Sequence, residues 1–120
     1  MTRPVVHLAN FPLPEQRGDF GSGAVDIMGS GHVFVCLFEH GAASARQPLF
    51  ASTGIPRLAP AMFRADGLQR AIRGQAGAQR WFNEAGRAFC LYVVLGAQRE
   101  SARLVPLANR VLAATRIRAP

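Results

Sequence analysis

A chain of 120 residues, 49% hydrophobic and 18% charged, is the length of a single domain. It can bury a core without metal or disulfide staples, and it is too apolar to be a disordered chain. Its longest uncharged apolar runs, around 33–38 and 88–97, fall short of the ~20 residues a membrane-spanning helix needs. The net charge is +7, and all 14 basic residues are arginine; there is no lysine. The arginines are scattered, with no window of six holding more than two. A nucleic-acid binder usually gathers its cations on one element or tail, so this pattern points to a GC-rich, bacterial coding bias. No charged-then-apolar leader opens the chain, which makes the cytoplasm the default expectation.

In chain order, the short apolar run 5–9 reads as a first strand, ended by Pro12 and Pro14. Residues 24–28 lie between glycine-rich loops and read as a short helix or a poor strand. The second clear strand is 32–39, HVFVCLFE, apolar on both faces in its middle and therefore central. Residues 48–52 are expected to form a third strand anchored by Leu49 and Phe50. Residues 66–73 carry a short-helix signal. Asp66 fits an N-cap, Gln69 completes a capping box, Leu68 and Ile72 share a face, and Gly74 is a stop.

The stretch that must be buried in any fold is 87–95, RAFCLYVVL, set between Gly86 and Gly96. Its hairpin partner is 78–84, joined by a tight turn in which Gly86 is free to take positive φ. Trp81 and Phe82 then face opposite sides of the partner strand. Residues 101–114 place Leu104, Leu107, Ala108, Val111 and Leu112 at helical spacing, with Pro106 as a flaw expected to shift the start or kink the axis. Arg116-Ile117-Arg118 alternates like a last edge strand. The expectation is one α+β domain over 1–120: a mostly antiparallel sheet, a long C-terminal helix on one face and a short peripheral helix.

The constellations that carry chemistry are few. His32, Cys36 and His40 at i, i+4, i+8 would suit zinc on a helix. Their intervening residues favour a strand, where four residues span about 13 Å, too far for one metal. Cys36 and Cys90 each lie mid-strand among large apolar groups, which leaves a thiol protonated and inert. They are expected as two buried thiols, with a bridge as the alternative if neighbouring strands align them. Gly21-Ser22-Gly23 and Gly29-Ser30-Gly31 lack the lysine of a phosphate loop and read as loop punctuation. No cofactor and no metal is implied.

Residues 88–96, the amphipathic stretch after them and the close at 112–117 resemble the end of PsbP/Mog1-like domains. The likeness covers the last ~40 residues and is one of apolar pattern. It implies an α+β sandwich with a central antiparallel sheet, and the chain is also similar to small α+β proteins of GC-rich bacteria, which act mostly as accessory or assembly modules. It carries over no functional residue.

The sequence thus points first to a non-catalytic module binding a protein partner or a second copy of itself, with Phe63, Arg80, Trp81 and Phe82 as the contact surface. Arginine-mediated binding of nucleic acid or another polyanion is the alternative. The third is a small enzyme with a pocket near His32 and His40.

Overall fold

The run that had to be buried is the strand the rest packs around. In the computed structural model, which describes residues 4–119, four strands form one antiparallel sheet: β1 (Val5–Ala9), β2 (Val33–Glu39), β3 (Ala76–Glu84) and β4 (Arg87–Leu95). Their spatial order is β1-β2-β4-β3, so β2 and β4 are central and β1 and β3 are edges. The fold is α+β. Helix α2 (Ser101–Ala114) covers one face; a one-turn helix α1 (Ser22–Val25) and loops cover the other.

Each face has its own core. Toward α2 point Val33 and Val35 of β2, Phe89, Leu91, Val93 and Leu95 of β4, and Phe82 of β3, against Leu104, Val105, Ala108 and Leu112. Toward α1 point Phe34, Cys36, Tyr92 and Val94, against Ala24 and Val25. The strand alternation of two residues makes this division, and both faces of β2 and β4 are covered, as their uncharged sequences require.

The β3–β4 turn has two central residues, Ala85 (φ 53°) and Gly86 (φ 77°), with Glu84 paired to Arg87. Positive φ at both makes it a type I′ turn, whose twist matches that of the strands. Helix α2 begins at Ser101 and runs through Pro106. Pro106 removes the bond to the carbonyl of Ala102, and both residues are solvent-exposed, so that carbonyl is open to water.

Three expected elements are absent. Residues 66–73 are not a helix: a 3-10 turn covers only Ala65–Gly67, and Leu68 is already extended (ψ 146°). The local cap lost to a long-range pairing. Arg64 exchanges two backbone hydrogen bonds with Gly77 (3.1 and 2.9 Å), and Asp66 binds the Arg64 guanidinium instead of a helix amide. A Cβ on Gly67 would stand 2.1 Å from the Gly77 carbonyl oxygen, so only glycine allows this approach. The extended chain beyond it lays Leu68 and Ile72 on the α1 face. Residues 48–52 form a 3-10 turn, Pro48–Phe50, in which Phe50 is buried and Leu49 is exposed. Residues 116–118 form no strand; Ile117 packs on the α2-side core, and the Arg118 carbonyl accepts from Arg87 (2.9 Å).

The two edges end up unlike one another. The segment 58–72 passes from the α2 face, where Leu58 and Phe63 are buried, around the outside of β3 to the α1 face. Its pairing at Gly77, and the bonds of Asn83 with Ser52 and Gly54 (both 2.8 Å), occupy the outward backbone groups at the two ends of β3. Among the described residues, nothing comparable passes outside β1. Glu39 N–H donates to Pro4 and Asn10 N–H to Val33, so the alternation turns the N–H and C=O groups of Val5, His7 and Ala9 outward. No backbone hydrogen bond from the described residues reaches those outward groups.

Candidate functional site

The residues of β1 that share the α2 face are Val6 and Leu8. Helix α2 lies over β2 and β4 and stops short of Val6 and Leu8, leaving them 49% and 40% exposed. The gap is an apolar trough of two joined cavities of about 370 and 290 Å³, which share Leu8 and Val35. Its floor is Val6, Leu8, Val35 and Leu37; its far wall is Val111, Leu112 and Ile117. Val111 is itself 39% exposed.

The trough is apolar along its length and basic at its ends. Arg110 stands near Asn10 at one end, Arg116 and Arg118 near Pro4 at the other. The carboxylate at the Pro4 end, Glu39, is already matched: it accepts two hydrogen bonds from Arg87 at 2.6 and 2.7 Å. Those bonds hold the Glu39 carboxyl below its ordinary range, against the opposing effect of its partial burial. The Arg87 guanidinium also lies 5.6 Å from the Phe89 ring centre. Arg110, Arg116 and Arg118 have no carboxylate partner among the described residues. Arg116 instead donates to the Ala113 and Thr115 carbonyls at the end of α2.

The residues the sequence picked out as a contact surface do not assemble into one. Phe63 and Phe82 are core residues, 3% and 1% exposed, and Phe82 stacks on Phe89 with ring centres 5.3 Å apart. The periodicity that put Phe82 opposite Trp81 also turned it under α2. Trp81 and Arg80 are half-buried, and the Arg80 guanidinium donates to the Gln79 carbonyl. The signal for the trough was present but faint: VVHLA alternates two aliphatic residues with a histidine-centred face.

His32 and His40 flank β2 at its two ends, so eight residues of extended chain, about 27 Å, separate them and no shared pocket forms. His32 stacks on Phe11 (4.6 Å) and accepts from the Gly29 amide; His40 lies against Phe38 and Phe50. His7 accepts at Nδ1 from Arg17 (2.7 Å), which has no acceptor to offer, so its Nε2–H donates to the Asp19 carbonyl (2.6 Å). Both ring nitrogens are thereby engaged in holding the loop 14–19. Cys36 donates to the same carbonyl (3.4 Å).

Burial, with smaller contributions from Cys90 and Asp19, pushes the Cys36 thiol up to about 12; burial alone pushes Cys90 to about 11. The two are free thiols. Phe38 pairs with Cys90 and Cys36 with Tyr92, so the sulfurs sit diagonally across β2 and β4. Diagonal neighbours are ~7–8 Å apart, beyond ordinary disulfide reach. Neither thiol has the exposed, electropositive setting of a nucleophile. Among the described residues no three histidine, cysteine or acidic side chains gather as a metal site, and no helix is long and apolar enough to cross a membrane.

No protein-family model matches the chain, and no curated protein or solved structure matches it either.

Proposed function

We propose that this protein is a non-catalytic protein-binding module that receives an extended segment of its partner along β1. The observation that carries the reading is the difference between the two sheet edges. The chain itself bonds the outward groups at both ends of β3, Gly77 and Asn83, whereas every outward group of β1 lies open to the described chain, beside an apolar trough. An added strand meets both needs at once: main-chain hydrogen bonds supply affinity, and alternate side chains enter the trough. Covering what remains exposed of Val6, Leu8 and Val111 would contribute about 1 kcal/mol each.

The basic ends of the trough favour a second reading, attraction of a nucleic acid or other polyanion to Arg110, Arg116 and Arg118. That reading demands binding whose log K falls steeply with log salt.

The test is an amide NMR titration of ¹⁵N-labelled protein with a pool of capped, strand-prone heptapeptides, and separately with a DNA oligonucleotide. Shifts confined to 5–9, 107–112 and 117 with the peptides are expected. Shifts absent with peptides, or produced only by the oligonucleotide and abolished by salt, overturn the proposal.

A further inference from the structure

The geometry points to the chemical class of that segment: an extended strand with apolar side chains at its third and fifth positions and carboxylates at its first and seventh. This inference rests on the strand-addition reading above and adds the identity of the occupant.

The pattern follows from register. A strand laid antiparallel to β1 forms its hydrogen-bonded pairs opposite Val5, His7 and Ala9, whose polar groups face outward. The residues opposite Val6 and Leu8 are the non-hydrogen-bonded pairs, whose side chains come closest and share a face. That face is the trough, so both must be apolar. The next positions on the same face lie opposite Pro4 and Asn10, where the trough ends at Arg116 and Arg118, and at Arg110. These arginines lack carboxylate partners within the described chain. Carboxylates at the first and seventh positions match them. The span from residue 4 to residue 10 is about 20 Å, the length of seven residues in extended form.

The same charges disfavour a second copy as occupant. Each chain carries +7, and a two-fold β1–β1 pairing brings the Arg116–Arg118 end of one copy toward the Arg110 end of the other. Arginine would meet arginine with no acid between.

The test uses fluorescein-labelled, end-capped heptapeptides and the full chain. The first is Glu-Thr-Val-Thr-Val-Thr-Glu, and the second has glutamine at both ends. Two further acidic peptides are N-methylated, one at positions two, four and six and the other at three and five. By fluorescence anisotropy at low salt, the acidic peptide is expected to bind at least tenfold tighter than the glutamine peptide. Arg110→Glu should remove most of that advantage, as should 0.5 M salt. Methylation at two, four and six should abolish binding, and methylation at three and five should not.

If acidic and glutamine peptides bind equally and both fail when methylated at two, four and six, the acidic class is wrong and strand addition stands. If no peptide binds up to millimolar concentration, both fall. A dimer seen by light scattering that acidic peptide does not dissociate assigns the edge to a second copy and overturns the inference. So does an oligonucleotide that outcompetes the acidic peptide and binds a Leu8→Asp variant equally well.

Discussion

Raising the pH should unfold this protein through its two buried thiols, and the absence of lysine makes the effect readable. Between pH 8.5 and 12 the side chains that titrate are Cys36, Cys90 and the single tyrosine, Tyr92, because every basic residue is arginine. All three are held above their ordinary values, with burial as the leading cause. The sign is then fixed. A group whose folded value is raised contributes stability in full below its unfolded value, and that stability is lost as pH rises toward the folded one. For the thiols the window opens at 9.0 and closes near 12 for Cys36 and 11 for Cys90. From pH 8 to pH 11 the two together should lower stability by about 5 kcal/mol, because each tenfold difference in proton affinity between folded and unfolded chain is worth ~1.36 kcal/mol. A domain of this length has roughly 6–18 kcal/mol in total, so the loss is a large share of it. Urea unfolding followed by circular dichroism at half-unit steps, under argon with a chelator, measures the slope. The Cys36→Ala, Cys90→Ala double variant should start less stable, from the cavities left, yet decline far less steeply, retaining only the Tyr92 contribution. Parallel decline of both proteins would refute the burial of the thiols and with it the account of the α1-side core.

Further expectations follow from single contacts. Gly96→Ala should destabilise by at least ~2 kcal/mol in urea melts, since its Cβ would stand 1.8 Å from the Gly29 carbonyl oxygen and backbone must move. Ala85→Asn should stabilise by about 0.5–1 kcal/mol in the same assay, because asparagine tolerates the positive φ that alanine resists in this turn. Glu39→Gln should cost about 1–2 kcal/mol at neutral pH. The wild-type advantage should vanish as pH falls below the ordinary carboxyl value of 4.5 and through the lowered folded one, seen as acid unfolding curves that converge.

What the sequence disclosed depended on how local its cause was. β2 and β4 were legible because six or more uncharged, branched and aromatic residues in a row between loops favour a buried strand. Helix α2 was legible from its period, and the tight turn from Gly86; that Ala85 also takes positive φ was not. The segment 66–73 misled because its capping signals are local, whereas the pairing of Arg64 with Gly77 that overrode them joins distant stretches. The site misled for a related reason. Large aromatics beside an arginine looked like a contact surface, yet size is also what a core selects, and Phe63 and Phe82 went inside. Whether Val6 and Leu8 are covered depends on strand order and on where α2 ends, neither of which five residues of sequence contain.

An uncovered edge next to apolar side chains is a hazard unless something occupies it, and natural sheets usually blunt such edges with charge, proline or covering loops. Loops cover the two ends of β3; among the described residues β1 has only its shortness and the neighbouring Pro4. This predicts where the protein aggregates when heated below its unfolding midpoint without a partner. Val6→Lys places a charge on the trough face of the open edge while its stem still covers part of the floor. Val6 is half exposed already, so the cost to folding should stay under about 1 kcal/mol. The onset of light scattering on heating should nonetheless move up by several degrees. Ile27→Lys is the control, adding the same charge at a residue that is 58% exposed and lies outside every strand. If the two substitutions protect equally, net charge explains the gain, and β1 has no special place in how these molecules meet one another.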